Sequence, residues 1–305
     1  MISIVIPIYN EELLIEELIK RTFNAVSKFT SEFEIILVDD GSQDNSLVKL
    51  IQHNRLEKRI KIVQLSRNYG HQAAYTAGLS IAVGEHIVMM DGDLQDPPEL
   101  IEEMYNKLKE NNTLDIVYAK RKTKKERISR GIMMLIFHKI FKKIIKIESA
   151  DDVGNFSVFT KEVKDAILLY SEKTRYLPGI RFHIGFSQDF ILFDRDERFA
   201  GKAKMNVSKL FSLALDAIFS FSNFPIRFML VLGVFGVTIS FLGFLYVFVS
   251  KILGIAPFGW SSNLFFLFLF NSLQITFLGI LGEYIYRIYK EVQNRPLFII
   301  KNMII

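Results

Sequence analysis

Cysteine is absent from the 305 residues, which excludes disulfides, thiolate nucleophiles and cysteine-based zinc sites. The two common phosphate-binding loops are missing as well. No Gly-x-Gly-x-x-Gly follows a predicted strand and no Gly-x-x-x-x-Gly-Lys-Ser/Thr occurs, which disfavours dinucleotide oxidoreductases and P-loop ATPases. The first apolar run, Met1-Ile2-Ser3-Ile4-Val5-Ile6, has no basic stretch before it and reads as a strand, not a signal peptide. Tryptophan occurs once, at Trp260, and the five histidines do not cluster. His53, His86 and His138 read as surface or packing residues, and His71 as one that caps or lines a pocket.

What is present is unevenly spread. Half the residues are hydrophobic, 28 of them Phe, and they concentrate after residue 224. Net charge is +5, yet residues 120–146 carry eleven Lys and Arg against Glu126 alone. A block so basic implies an anionic partner.

Through residue 120, β-rich runs alternate with helical stretches. Ile2–Ile6, Glu34–Val38, Ile60–Leu65, His86–Met90 and Asp115–Ala119 read as strands. Glu11–Lys28, Asp44–Glu57, His71–Ala82 and Pro98–Glu110 read as helices. Such alternation predicts an α/β domain with a mostly parallel sheet covered on both faces. Ligands then bind beyond the carboxyl ends of the strands, where this chain places Tyr9-Asn10-Glu11, Asp39-Asp40-Gly41-Ser42, Ser66-Arg67-Asn68 and Asp91-Gly92-Asp93.

Residues 127–147 predict a basic amphipathic helix, with Lys139, Lys142, Lys143 and Lys146 on one face and Ile136, Phe137, Ile140, Phe141, Ile144 and Ile145 on the other. That pattern suits a membrane interface; a helix packed on the sheet is the plainer alternative. Phe228 through Ser250 holds no charge, and a second uncharged run, broken early by Pro257 and Gly259, extends to Gly282. Each is long enough to span a hydrocarbon core of roughly 30 Å. The expectation is a cytoplasmic domain over 1–205, a juxtamembrane amphipathic helix at 206–226, and transmembrane helices at about 228–250 and 261–283 within 227–305. Flanking basic residues put both ends of this C-terminal two-helix hairpin inside, making a multi-pass protein of the cytoplasmic (inner) membrane.

Chemistry concentrates in Met90-Asp91-Gly92-Asp93-Leu94-Gln95-Asp96-Pro97-Pro98. Two carboxylates beside a substrate diphosphate are what Mg2+ or Mn2+ needs, with phosphate and water oxygens completing the shell. Asp39 or Asp40 can accept hydrogen bonds from a base imide or a ribose hydroxyl, and Tyr9 can offer a stacking face. Asp-Gly-Ser also makes a turn in its own right, and Asp44 can cap the next helix.

Together these clusters resemble glycosyltransferase family 2, in its polyprenyl-phosphate branch (dolichol-phosphate-mannose-synthase-like, bactoprenol-glucosyltransferase-like). The likeness rests on Ser3 through Glu12, Val38 through Asp44, Leu65 through His71, Met90 through Glu99, Asp152-Val153-Gly154-Asn155-Phe156, Arg198 through Lys204 and Gly279 through Arg287. It implies a GT-A fold with Asp91, Asp93 and Gln95 at the metal. Pro7, Tyr9, Asn10, Glu11, Asp39, Asp40, Arg67, Asp91 and Gln95 would hold the nucleotide. Arg121, Arg127, Arg130, Arg198 and Lys204 would meet the lipid phosphate, and Asp152 would position the acceptor or assist proton transfer. Two departures stand out. Ala203 removes a hydroxyl expected near the acceptor phosphate, and His183 stands where many relatives carry Trp.

The implied partners are a nucleotide-sugar donor, a polyprenyl-phosphate acceptor and the membrane, not nucleic acid, with a homo-oligomer left open. The implied reaction is an inverting, metal-dependent transfer of a single sugar. A processive polysaccharide synthase is the first rival; it lacks support because Trp260 is not part of a Gln-x-x-Arg-Trp motif. A non-enzymatic docking protein on the same fold is the second.

Overall fold

Strands β1 (Ile2–Ile8) and β2 (Phe33–Asp39) are buried at every position, as branched aliphatic runs are when helices cover both faces of a sheet. Alternation still sorts their side chains, since successive residues of a strand face opposite ways. Ile2, Ile4, Ile6 and Ile8 join Phe33, Ile35 and Leu37 in one core, and Val5 joins Ile36 and Val38 in the other. The computed structural model describes residues 1–121, 153–173, 175–193, 224–253 and 260–305.

The remaining strands are β3 (Ile60–Leu65), β4 (His86–Met89), β5 (Ile116–Arg121), β6 (Val153–Thr160), β7 (Gln188–Phe193) and β8 (Ile300–Ile304). The helices are α1 (Ile15–Ser27), α2 (Ser46–Leu56), α3 (His71–Ile81), α4 (Ile101–Glu110), α5 (Lys161–Leu169), α6 (Leu177–His183), α7 (Phe224–Ile252) and α8 (Trp260–Val292). The strands form one eight-stranded sheet in the order β7-β5-β6-β4-β1-β2-β3-β8. β4, β1, β2 and β3 are parallel neighbours, and β5 is parallel to β7. β6 runs against both β4 and β5, and β8 against β3. Leu18 of α1, Leu50 of α2 and Met104 of α4 pack into the first core; Ala74 of α3, Val163 of α5 and Ile180 of α6 pack into the second.

All five expected strands and all four expected helices are present, the last helix preceded by a 3-10 turn at Pro98–Leu100. β6, β7 and β8 were not expected. β8 reads Ile300-Lys301-Asn302-Met303-Ile304, and such a sequence becomes a strand only because β3 supplies a partner.

The chain divides into two compact units, one containing the eight strands with α1–α6, the other containing α7 and α8. The predicted helix at 127–147 and positions 206–223 of the juxtamembrane helix lie outside the described residues. α7 and α8 fall where the membrane-crossing hairpin was expected. Among the described residues, however, no helix is long and apolar enough to cross a membrane. The transmembrane hairpin and the multi-pass inner-membrane location are corrected on that ground.

Candidate functional site

Loops at the carboxyl ends of β1, β2, β3 and β4 are laced to one another. The Asn10 N–H donates to Ser42 Oγ at 3.0 Å, and the Gln43 N–H returns to Asn10 Oδ1 at 2.8 Å. Glu11 N–H reaches Ser46 Oγ at 3.0 Å and Glu12 N–H reaches Asp44 Oδ2 at 3.3 Å. Asn10 sits at φ 52°, a left-handed conformation that Asn tolerates because its short amide bonds locally. The β2 and β3 loops meet at Asp40, whose carboxylate accepts the N–H groups of Tyr69 at 2.7 Å and Gly70 at 2.9 Å. The β4 loop closes on β1: a Cβ at Gly92 would lie 2.8 Å from the Pro7 carbonyl oxygen, so only glycine fits there.

Asp91, just past β4, is met by three side chains. Its Oδ1 accepts from the Tyr75 hydroxyl at 2.7 Å and the Asn155 amide at 3.3 Å, and lies 3.2 Å from His71 Nε2. Burial pushes this carboxyl up, but His71, Tyr75 and Asn155 together outweigh it and hold the group at about 2. His71 is pulled down by burial and raised more strongly by its bond to Asp91 and the fields of Asp40 and Asp93, so its net shift is upward. Burial, reinforced by Asp91, drives the Tyr75 phenol well above its ordinary value, so it stays a proton donor. The backbone after Asp91 is a tight turn. Asp91 N–H donates to Asp96 Oδ2 at 3.2 Å and Gln95 N–H to Asp93 Oδ1 at 3.2 Å, with Leu94 at φ 58° and buried.

Asp39 and Asp40 are both raised by burial. For Asp40 the bonds from Tyr69 and Gly70 oppose that rise. Asp39 Oδ1 accepts from the Ser42 N–H at 3.2 Å, while Oδ2 is buried without a hydrogen-bond partner among the described residues. A buried acceptor left unpaired costs roughly 1–3 kcal/mol, and a ligand donor would recover that.

Pro7, Tyr9, Asn10, Glu11, Asp39, Asp40, Arg67, Asp91, Asp93 and Gln95 thus all lie on or beside these carboxyl-end loops. The Arg67 guanidinium lies over the Tyr69 ring, 4.4 Å from its centroid. Arg121 ends β5, its side chain outside the described residues, as are Arg127, Arg130, Asp152, Arg198, Ala203 and Lys204. His183 ends α6 with its ring 6.1 Å from that of Tyr170. Tyr75 and Asn155 went unrecognised as site residues. The signal for Tyr75 was its spacing of four from His71, which puts both on one helical face. Asn155 stood inside a quoted motif but carried no role.

Asp91 and Asp93 are hard oxygen donors of the kind Mg2+ and Mn2+ take. Among the described residues no group of three or more His, Cys, Asp or Glu is placed to hold a metal ion. The three side-chain groups that meet Asp91 all engage its Oδ1.

Residues 3–168 match the family model described as Glycosyl transferase family 2. The "Uncharacterized glycosyltransferase YkcC" of Bacillus subtilis is 38% identical over 304 residues, covering 98% of this chain and 93% of its own. The bactoprenol glucosyl transferase of Shigella phage SfII is 35% identical over 307 residues, covering 98% and 97%. Among solved structures, glucosyl-3-phosphoglycerate synthase from Mycobacterium tuberculosis, in complex with Mn2+, uridine-diphosphate and phosphoglyceric acid, superposes with a TM-score of 0.51 at 16% identity. That match covers 72% of this chain and 76% of the synthase and is a likeness of fold.

Proposed function

The chain belongs to glycosyl transferase family 2, and from that premise we propose that it moves a single hexose from a UDP- or GDP-sugar to a polyprenyl phosphate, with inversion and with Mg2+ or Mn2+. The observation that carries the reading is Asp91: a carboxylate at the carboxyl end of a parallel strand, its Oδ1 met by His71, Tyr75 and Asn155. The likeness to a bactoprenol glucosyl transferase over nearly the whole chain supports the acceptor.

Asp39 offers its partnerless oxygen to a base imide or a ribose hydroxyl, with Tyr9 as the stacking face and Pro7, Asn10, Glu11, Asp40, Arg67 and Gln95 completing the nucleotide's surroundings. Asp91, Asp93 and Gln95 would hold the divalent cation, which when bound stabilises negative charge on the departing diphosphate. The acceptor is a phosphate monoester with a second pKa near 6, so its oxygen is already anionic near neutral pH and needs little help from a base. That oxygen bonds to the anomeric carbon from the face opposite the diphosphate. The carbon–oxygen bond to the diphosphate breaks, its electron pair leaving with the nucleotide. Arg121, Arg127, Arg130, Arg198 and Lys204 screen the two anions from each other, and Asp152 positions the acceptor. His183 and Ala203 bear on which sugar and acceptor fit, not on the cation.

Full-length protein, labelled UDP-glucose or GDP-mannose, undecaprenyl phosphate and Mn2+ test the reading. One sugar per lipid supports it; a polymer, or no metal-dependent turnover with any nucleotide-sugar, overturns it. Asp93→Ala should reduce turnover to background, and near wild-type activity in that variant would remove the cation assignment.

A further inference from the structure

Arg181, on α6, is fully buried. A guanidinium so placed costs several kcal/mol unless its donors are satisfied; among the described residues Nε has no partner, and the bonds its two Nη atoms make all go to one short segment. Nη2 donates to the Gly154 carbonyl at 2.8 Å, and Nη1 to the Asn155 carbonyl at 3.0 Å and to Ser157 Oγ. The guanidinium also lies over the Tyr118 ring, 5.0 Å from its centroid. Each contact except the ring is to the start of β6. β4 and β6 pair as far as Met89 opposite Ser157, and two residues beyond on each strand the Asn155 amide meets Asp91.

Among the described residues Asn155 has one side-chain bond, from Nδ2 to Asp91 Oδ1 at 3.3 Å, and its Oδ1 is buried without a partner. The aim of the amide therefore depends on where the main chain at 154–155 is held. Arg181 holds that main chain. We propose that Arg181 is a positioning residue for sugar transfer: it clamps Gly154 and Asn155 so that the Asn155 amide stays on Asp91 and the carboxylate keeps the orientation a divalent cation and the nucleotide diphosphate require. This rests on the reading of Asp91 above.

Full-length protein would be titrated with Mn2+ in the presence of UDP, followed by electron paramagnetic resonance, alongside steady-state transfer. Asn155→Ala, at a half-buried position, should weaken Mn2+ binding about 10-fold and lower kcat by a similar factor, with KM for the lipid acceptor unchanged. Arg181→Lys, which keeps the charge but cannot fork to two carbonyls, should melt lower yet show the same pattern when assayed at a temperature where circular dichroism shows it fully folded. The Arg181→Lys/Asn155→Ala pair should be no worse than the worse single, because both act through one contact. Additive losses in Mn2+ binding, or Arg181→Lys with wild-type Mn2+ affinity, would overturn the proposal. The Mn2+–UDP titration needs no acceptor. A wild-type protein that binds Mn2+ with UDP but transfers no sugar would count against the proposed reaction and leave the Arg181 result to be judged by binding.

Discussion

Tyr75 stands one helical turn after His71 on α3, and both side chains meet the same oxygen of Asp91. The phenol is fully buried, so it contributes a charge-assisted bond in a dry setting. Bonds to charged groups are worth about 1.5–3 kcal/mol. Tyr75→Phe should therefore lower unfolding free energy by about that amount in urea titration, and unchanged stability would show that Asp91 keeps its place on the other two donors. His86 gives the pH dependence. Burial pulls its pKa below the ordinary 6.5, and its ring packs on Tyr105 at 5.1 Å. A depressed folded-state pKa means that its contribution is whole above about 6.5 and is lost as pH falls through the lower folded value, because the unfolded chain takes the proton first. The melting temperature should fall between pH 7 and pH 5 by less in His86→Gln than in wild type, and parallel profiles would refute this.

At the scale of elements, α3 crosses β1 and β2 where Gly78 has no side chain. A Cβ there would lie 2.3 Å from Val5 Cγ1 and 3.0 Å from Val38 Cγ2. Gly78→Ala overpacks this contact and should destabilise by about 1–3 kcal/mol, against the usual gain of Ala over Gly inside a helix. Adding Val5→Ala should recover part of the loss, measured by denaturant midpoint. α3 and the strands it covers were legible, because β-branched runs of six or seven residues alternate with amphipathic stretches and polar clusters follow each strand. The closeness of the packing at Gly78 was not, since it depends on two strands far apart in sequence. For the same reason β6 escaped notice as the strand inserted between β4 and β5, and with it the partnership of Asn155 and Asp91. Local pattern located Asp39, Asp40, Asp91 and Asp93 at strand ends; only the register of β6 against β4 brings in the amide that faces Asp91.

The sheet gains its edge strand from residues far along the chain. β8 pairs with β3 from Ile62↔Ile304 to Leu65↔Ile300, joining residues about 240 positions apart. The Ser66 N–H donates to the Ile299 carbonyl at 2.9 Å, and Asn302 Nδ2 to Gln64 Oε1 at 2.8 Å. Phe298 and Ile300 pack on the second core. β3 leads directly into the loop whose Tyr69 and Gly70 N–H groups bond Asp40, so β8 both covers an edge and braces the strand that carries that loop. An uncovered β3 would present a row of unpaired backbone groups, a template for association with other chains. A chain ended after Pro296 should therefore melt several degrees lower, aggregate in a concentration-dependent way on size-exclusion chromatography, and bind UDP more weakly. Asn302→Ala, which removes one side-chain bond and leaves the ladder, separates the two effects: it should keep the monodispersity of wild type and lose less than about 1 kcal/mol. Truncated protein that melts and elutes like the full chain would mean that β3 is held by β2 and the cores alone, and that the tail strand is dispensable to the loop beside it.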